Sequence, residues 1–286
     1  MTVTAQMVKE LRDKTGAGMM DAKKALVEAD GDMDKASEIL RQKGIASADK
    51  KMGRIAAEGR VDSFVDANGG AMIEVNCETD FVAKNDEFKQ LTAGLAQNVE
   101  EQKPADVDAL LGLTCKQCGK VIADALKEKI ASIGEKITVR RFVRYEGNVA
   151  TYIHNGKIGV LLNTDVKNDE LANDLCLHIA SCAPQFVSRD QIPQSVIDEE
   201  TRIEMGKEDL LKKPEAIRGK IVEGRINKLM AERCLLDQGF VKDSNQTVAQ
   251  LIEGKMKVLA FTRYELGEGL EKRQDNFAEE VMSQLG

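Results

Sequence analysis

One eight-residue pattern occurs twice in this chain. Val-x-x-Phe-x-Arg-Tyr-Glu covers 139–146 and returns at 258–265. Each copy closes a segment that opens with two apolar stretches around an Asn-Gly turn, at Asn68 and at Asn155, and this arrangement is typical of a β-hairpin. Matching strand, turn and helix signals indicate an internal duplication. The sequence therefore predicts an α+β fold with two related subdomains, each a three-stranded antiparallel sheet with helices on one face.

The residues before the duplication are predicted to form three short helices. Thr4 is placed to cap the first helix, and the Asp30-Gly31-Asp32 turn ends the second and caps the third. The second helix carries Met19, Ala22, Leu26 and Ala29 at helical spacing. Gly44 is expected to stop the third helix, and the Lys-, Ala- and Gly-rich stretch after it is expected to be a linker or a polar helix.

The second copy is longer than the first between its helix and its last strand. The extra residues form a predicted helical hairpin of two amphipathic helices joined at Pro214. This hairpin either packs on the core or serves self-association, as in a homodimer. The expected division is a three-helix domain with linker at 1–54, a core N-subdomain at 55–147, a core C-subdomain at 148–266 with the hairpin at about 187–236, and a C-terminal helix at 267–286.

Composition argues against nucleic-acid and membrane partners. The 286 residues carry a net charge of -7, no Trp and only 4% aromatic residues, whereas nucleic-acid surfaces need clustered cations and stacking rings. No apolar run approaches the ~20 residues of a membrane helix, and the N-terminus lacks the apolar core of a signal peptide. We therefore expect a cytoplasmic protein with no direct nucleic-acid or membrane partner.

No enzyme motif is present in the sequence. There is no P-loop and no complete Gly-x-Gly-x-x-Gly after a strand. The two histidines, His154 at a hairpin turn and His178 in a helix, are too few for most histidine metal sites, and His178 is expected to pack in or beside the core. These observations favour a binding or regulatory protein without catalytic residues, cofactor or metal.

Six cysteines are spread through the chain, and only Cys115 and Cys118 form a Cys-x-x-Cys pair. A zinc site would need two more ligands, which the surrounding sequence lacks. A redox site would need a strand-turn-helix context, and this stretch instead reads as a surface segment entering a helix. The pair is therefore interpreted as two incidental reduced thiols.

The segment 74–84, Glu-Val-Asn-Cys-Glu-Thr-Asp-Phe-Val-Ala-Lys, marks a corner between a strand and a helix. Asp80 and Phe81 lie side by side at this corner. Asp80 either favours the start of its own helix or pairs with a partner. Phe81 either packs into the local core or projects as a wedge into a partner, and the residues alone leave both alternatives open.

Two long motifs resemble the signatures of bacterial elongation factor Ts. One covers 11–26, Leu-Arg-Asp-Lys-Thr-Gly-Ala-Gly-Met-Met-Asp-Ala-Lys-Lys-Ala-Leu, and the other is the corner segment 74–84. The duplication and the predicted hairpin are also similar to that family, and the likeness covers essentially the whole chain. The resemblance implies a ubiquitin-associated-like N-terminal domain and a guanine-nucleotide exchange factor whose partner is the GTPase elongation factor Tu.

The resemblance also implies roles for particular residues. Thr79, Asp80, Phe81 and Val82 correspond to the element that disturbs the Mg²⁺ site of the GTPase. The further partner contacts implied are Lys9, Arg12, Met19, Met20 and His154. The residues by themselves favour core packing for Met19, while Met20 lies one step off the apolar stripe.

The mechanism implied needs no reactive group. A factor that binds nucleotide-free Tu more tightly than Tu-GDP loosens the nucleotide by the same factor. The alternative is a protein-interaction adaptor that binds without changing the lifetime of the nucleotide. The sequence leaves open whether the factor stays on the aminoacyl-tRNA-Tu-GTP complex until GTP hydrolysis on the ribosome.

Overall fold

The structure, a computed structural model, describes residues 3–271, with the side chains of 45–49 excepted. The described chain divides into two compact units. One comprises 3–64, 71–143 and 265–271, and the other comprises 65–70 and 144–264. Most of the C-terminal helix expected over 267–286, the part after residue 271, lies outside the described residues. The four-part domain division stays a prediction.

The first unit begins with three helices: α1 (Ala5–Thr15), α2 (Met19–Glu28) and α3 (Met33–Lys51). Thr4 caps α1, because its side chain accepts a hydrogen bond from the amide of Met7 at 3.3 Å. Asp32 accepts hydrogen bonds from the amides of Asp34 and Lys35, both at 3.0 Å, at the start of α3. Both predicted caps are confirmed. The helices enclose a small apolar core made of Val8, Leu11, Ala22, Ala25, Leu26, Ala29 and Ala36.

The rest of the first unit is a sheet covered by helices. Its elements are β1 (Glu58–Val65), β2 (Gly69–Cys77), α4 (Asp80–Lys84), α5 (Asp86–Gln102), α6 (Val107–Gly112), α7 (Ile122–Ile133) and β3 (Thr138–Glu146). The strand order is β1-β2-β3, and all nine residues of the central β2 are buried. Apolar residues of β2 pack against α5 and α7, with Phe88, Leu95, Val99 and Leu126 in the same core.

The expected end of α3 at Gly44 is wrong. The helix continues through Gly44 to Lys51. The glycine serves packing instead, because a Cβ at Gly44 would lie 3.0 Å from the Cβ of Ala131 in α7. A side chain would separate α3 from α7 at this point.

The second unit repeats the plan of the sheet. Its elements are β4 (Asn148–His154), β5 (Ile158–Thr164), α8 (Asp169–Cys182), α9 (Gln194–Met205), α10 (Glu208–Leu211), α11 (Glu215–Arg233), β6 (Gly239–Phe240), β7 (Asp243–Thr247), α12 (Val248–Ile252) and β8 (Val258–Glu265). The three-stranded sheet has the order β4-β5-β8, and β4 pairs with β5 in antiparallel register from Asn148 opposite Thr164 to His154 opposite Ile158. A separate two-stranded sheet pairs β6 with β7.

The two sheets share one connectivity, since each has its second strand in the centre. In the repeated motif, Phe142 packs against the first core and Phe261 against the second. Helices α5 and α8 occupy equivalent places in the two copies, and each begins at an asparagine cap, Asn85 and Asn168. The α+β fold of N-terminal helices followed by antiparallel three-stranded sheets with helices is confirmed.

The segment predicted as a two-helix hairpin contains three helices, α9, α10 and α11. Pro193 and Pro214 immediately precede α9 and α11, where a proline costs no helical hydrogen bond. Gly206 and Lys207 separate α9 from α10. One buried apolar cluster of the segment consists of Ile192, Leu210, Val222, Ile226, Met230 and Cys234, while Ile203, Leu211 and Ile217 are exposed.

Candidate functional site

The corner between β2 and α4 presents one aromatic ring to solvent. Thr79 caps α4 through its hydroxyl oxygen, which accepts from the amide of Val82 at 3.4 Å. Ala83 is buried and Val82 is partly buried against the core of the first unit. Because α4 buries this face, Phe81 points outward and its residue is 81% exposed. The structure therefore excludes the interpretation of Phe81 as a core residue.

A carboxylate that the sequence analysis missed anchors this corner. Glu135 lies in the turn between α7 and β3, and its Oε2 accepts hydrogen bonds from the amides of Glu78 at 3.1 Å and Thr79 at 3.0 Å. Its Oε1 accepts from the hydroxyl of Thr79 at 2.6 Å. Glu78 in return accepts the amide of Lys136 at 2.6 Å. Hydrogen bonds to a carboxylate are stronger than those between neutral groups. Reciprocal bonds of this kind, from Glu135 and from Glu78, hold the corner to the turn before β3.

Asp80 is engaged within its own helix. Its carboxylate pairs with the ammonium of Lys84 at 2.6 Å, four residues later, and both side chains are largely solvent-exposed. An exposed pair of this kind contributes less than about 1 kcal/mol. The pair with Lys84 therefore adds little to the stability of the fold.

Beneath the corner lies a thiol that is chemically inert. Cys77 is fully buried, and its Sγ donates to the carbonyl of Thr79 at 3.1 Å. Burial, followed by the charge of Glu135, raises the pKa of the Cys77 thiol to about 12. This cysteine contributes to packing and has little reactive thiolate.

A fully buried carboxylate within the segment 74–84, Glu74, binds two arginines and the backbone of Gly267. Glu74 has no exposed surface, and its oxygens accept from Arg140 at 2.9 Å, Arg141 at 2.7 Å and the amide of Gly267 at 2.9 Å. Burial by itself opposes ionisation of Glu74, but the hydrogen bonds from Gly267, Arg140 and Arg141 outweigh it and lower the pKa. Gly267 has a φ of +71°, and a Cβ there would lie 2.7 Å from the carbonyl oxygen of Ala57.

The N-terminal residues implied as partner contacts lie on α1 and α2. Lys9 is exposed, and Arg12 is half-buried with an Nη1 3.8 Å from Sδ of Met19. Met19 is 46% exposed and Met20 is 64% exposed. The expectation that Met19 packs in the core is wrong, because it is the first residue of α2 and lies at the edge of the cluster formed by later turns.

His154 lies at the end of β4, beside the turn into β5, and is exposed. Its Nδ1 is 2.9 Å from the hydroxyl of Tyr152 and its Nε2 is 3.2 Å from Nδ2 of Asn155. A neutral ring protonated on Nδ1 satisfies both contacts, because Asn155 donates to Nε2. Asn155 has a φ of +53° and Gly156 one of +70°, as a tight hairpin turn requires.

His178 is a structural histidine, as the sequence analysis expected. It is fully buried, its Nε2 lies 2.9 Å from Oε1 of Gln238, and its Nδ1 accepts the amide of Val241 at 3.2 Å. Burial lowers the pKa of His178, and the hydrogen bond to Gln238 partly offsets that effect. The imidazole is therefore neutral and donates from Nε2.

Within residues 3–271, no group of three or more His, Cys, Asp or Glu side chains is arranged to hold a metal ion. Over the same range, no helix has the length and apolar character needed to cross a bilayer. Phe81, an exposed ring on an anchored corner, is a feature suited to contact a macromolecule.

The chain is similar in sequence to known proteins of one family. The family model described as Elongation factor TS matches residues 78–268, more than half of the chain, starting at the corner itself. The protein named elongation factor Ts from Alkalilimnicola ehrlichii is 48% identical over 99% of both chains. Those from Leuconostoc mesenteroides subsp. mesenteroides and Thioalkalivibrio sulfidiphilus are 49% identical over 100% and 48% identical over 99% of both chains.

These matches define the class of the protein as a translation elongation factor. More particularly, the chain belongs to the elongation factor Ts family. The expected membership of that family is confirmed.

Proposed function

We propose that this chain binds elongation factor Tu in its GDP form and promotes the release of GDP and its exchange for GTP. It acts in the cytoplasm through binding energy alone, without catalytic residues of its own. The observation that carries the proposal is Phe81, an 81% exposed aromatic ring on a corner fixed by Glu135.

The chemistry of the bound nucleotide explains how such a ring would act. Mg²⁺ requires nearly ideal octahedral coordination and bridges phosphate oxygens to protein oxygens. A rigid ring inserted between helices of the GTPase displaces them slightly and distorts that geometry. Thr79 and Val82 fix the backbone that carries Phe81, and the carboxylate of Asp80 is proposed to pair with a cationic group of the partner.

Thermodynamic linkage sets the requirement on these contacts. They must be stronger with nucleotide-free Tu than with Tu-GDP, because a ligand that binds two states equally shifts nothing. We therefore expect Phe81 to affect GDP release more than total affinity. Lys9, Arg12, Met19, Met20 and His154 are proposed as contacts that hold the factor on Tu in either state.

The test is stopped-flow release of a fluorescent GDP analogue from Tu at saturating factor. The wild-type chain should speed release by orders of magnitude, and Phe81→Ala should lose most of that effect while still binding Tu. Val241→Ala, which truncates another exposed apolar residue, is the matched control and should release GDP like the wild type. If the wild-type chain binds Tu without changing release, the adaptor alternative is correct instead.

Self-association through the α9–α11 segment is a second proposal, supported by its exposed Ile203, Leu211 and Ile217. Sedimentation equilibrium of the wild type and of an Ile203→Ser, Ile217→Ser variant tests it. A dimer that becomes a monomer in the variant supports this role, and a wild-type monomer at high micromolar concentration rules it out.

A further inference from the structure

The loop between α6 and α7 is a tight, internally bonded turn. Thr114 and Val121 pair as an antiparallel bridge. Between them, the amide of Cys115 donates to the carbonyl of Lys120 at 2.7 Å, and the amide of Gly119 donates to the carbonyl of Cys115 at 2.8 Å. Gly119 has a φ of +68°, a conformation that glycine adopts readily. The two cysteines therefore lie in a turn between the two residues of a β-bridge, and helix α7 begins directly after it. The sequence alone did not predict this bridge.

This turn places Cys115 and Cys118 three residues apart within a single turn of the chain. The Sγ of Cys115 donates to Oε1 of Gln117 at 3.3 Å. The bond from Gly119 to Cys115 closes one helix-like turn, in which Cα atoms three residues apart lie about 5 Å from each other. A disulfide spans about 4.4–6.8 Å between Cα atoms. The turn therefore brings the pair within reach of a disulfide.

The environment divides the roles of the two thiols. Burial opposes ionisation of Cys115, but its interactions with the side chain and backbone of Cys118 and with the backbone of Gln117 outweigh it and lower its pKa. Burial and then the interaction with Cys115 raise the pKa of Cys118. Cys115 is accordingly the better nucleophile at neutral pH, and the exposed Cys118 is placed to resolve a bond formed on it.

A buried amide fixes the base of the turn. Asn98 in α5 is 1% exposed, its Nδ2 donates to Oε1 of Gln117 at 2.6 Å, and its Oδ1 accepts the amide of Lys116 at 3.1 Å. Gln117 also donates to Gln97 at 2.9 Å. The residues between the two cysteines are thus held to α5, which favours ring closure because little freedom is left to lose.

The other cysteines lack these features. Cys77, Cys176 and Cys234 are buried, and burial raises the pKa of Cys176 to about 12. Cys182 is exposed, but burial of its thiol raises the pKa. Among the described cysteines, a lowered pKa and a second cysteine in the same turn coincide only at Cys115.

We propose that Cys115 and Cys118 form a dithiol–disulfide redox site that exchanges with the disulfide of an external thiol compound. This replaces the interpretation of the pair as incidental, and it does not depend on nucleotide exchange. The Cys115 thiolate attacks one sulfur of the external disulfide, whose S–S bond breaks as a mixed disulfide forms on Cys115. The first external thiolate leaves and takes a proton from solvent.

The second step closes the ring. Cys118 gives its proton to solvent and its sulfur attacks Sγ of Cys115, so the mixed disulfide breaks and the second external thiolate leaves and is protonated. Two protein thiols are oxidised by two electrons, and one external disulfide is reduced to two thiols.

To test this, the full chain with the substitution Cys182→Ser is equilibrated with oxidised and reduced glutathione under nitrogen. The reaction is then quenched with acid, free thiols are alkylated, and the products are identified by mass spectrometry. The 115–118 segment should lose two hydrogens and carry no glutathione. Because one disulfide is exchanged for two thiols, tenfold less reduced glutathione at fixed oxidised glutathione should raise the oxidised-to-reduced ratio about a hundredfold. In Cys118→Ser, glutathione should remain attached to Cys115.

Three outcomes would overturn the proposal. In the first, both thiols stay reduced across the glutathione range. In the second, Cys115 and Cys118 each carry a separate glutathione. In the third, the Cys118→Ser variant binds no more glutathione at Cys115 than a chain that retains Cys182 binds at Cys182. The last comparison uses Cys182 as an exposed cysteine without a neighbouring thiol.

Discussion

The carboxylate of Glu135 accepts hydrogen bonds from both the amide and the hydroxyl of Thr79, at 3.0 and 2.6 Å. One side chain thus fixes the start of the helix that carries Phe81. Glu135→Ala leaves the amides of Glu78 and Thr79 without this acceptor and should destabilise the fold by about 2 kcal/mol. We expect α4 to loosen and acceleration of GDP release to fall about tenfold, equivalent to 1.4 kcal/mol. Stopped-flow release and urea unfolding measure the two effects.

Glu87→Ala is the control for Glu135→Ala, because it removes an acid that pairs with Lys129 on the surface. It should leave GDP release unchanged. Equal release by Glu135→Ala and the wild type would mean that the corner does not depend on this anchor.

The two alternatives for Asp80 are separated by its helical partner Lys84. If Asp80 acts only within α4, Asp80→Asn and Lys84→Met should change stability by the same small amount, at most about 1 kcal/mol. We expect Asp80→Asn in addition to weaken binding to Tu severalfold, because its carboxylate pairs with a cationic group there. Titration calorimetry with nucleotide-free Tu compares the two variants, and identical affinities would restrict Asp80 to a local role.

Gly44 and Gly219 are both helical glycines, but only Gly44 has a neighbour within 4 Å, at Ala131. Gly44→Leu should destabilise the packing of α3 on α7 by about 1–3 kcal/mol. Gly219→Leu, in an open position of α11, should stabilise that helix by up to about 1 kcal/mol. Thermal unfolding should move in opposite directions for the two variants, and hydrogen exchange should report faster opening of α3 only in Gly44→Leu.

The Glu74 carboxylate makes folding stability depend on pH in the acid range. Its pKa is lowered below the ordinary value of 4.5 in the folded state, so its contribution is present above about 4.5 and is lost as the pH falls toward the lowered value. Glu74→Gln should cost about 3 kcal/mol at pH 7, since it leaves Arg140 and Arg141 without their buried partner. Urea unfolding at several pH values should show a smaller loss between pH 5 and 3 in the variant than in the wild type.

Local patterns predicted the local parts of this structure. Hairpins at Asn-Gly turns, caps at Thr4 and Asp32 and the repeated sheet all depend on neighbours close in the sequence, where side-chain chemistry and backbone geometry are coupled directly. The exposure of Phe81 was one of two open alternatives, because a five-residue helix is too short for its apolar pattern to identify the buried face.

The long-range parts escaped prediction for a physical reason. Glu135 meets Thr79, and Glu74 meets Gly267, only after the sheet has formed, and no periodicity marks an acid that will bond to a distant backbone. The same holds for Gly44, where the sequence shows a helix breaker and the fold uses a close contact with Ala131. A pair of thiols at Cys115 and Cys118 was visible, but the turn that aligns them was not.

Phe81 is presented on a helix whose neighbours Val82 and Ala83 are already seated in the core. The free protein therefore holds the backbone that carries Phe81 in place before any encounter, while the ring itself stays exposed to water. Ordering that one side chain on association costs about 0.5–1.5 kcal/mol. We therefore expect the proposed recognition through this corner to need little backbone rearrangement, which favours short encounters and many rounds of association by one molecule.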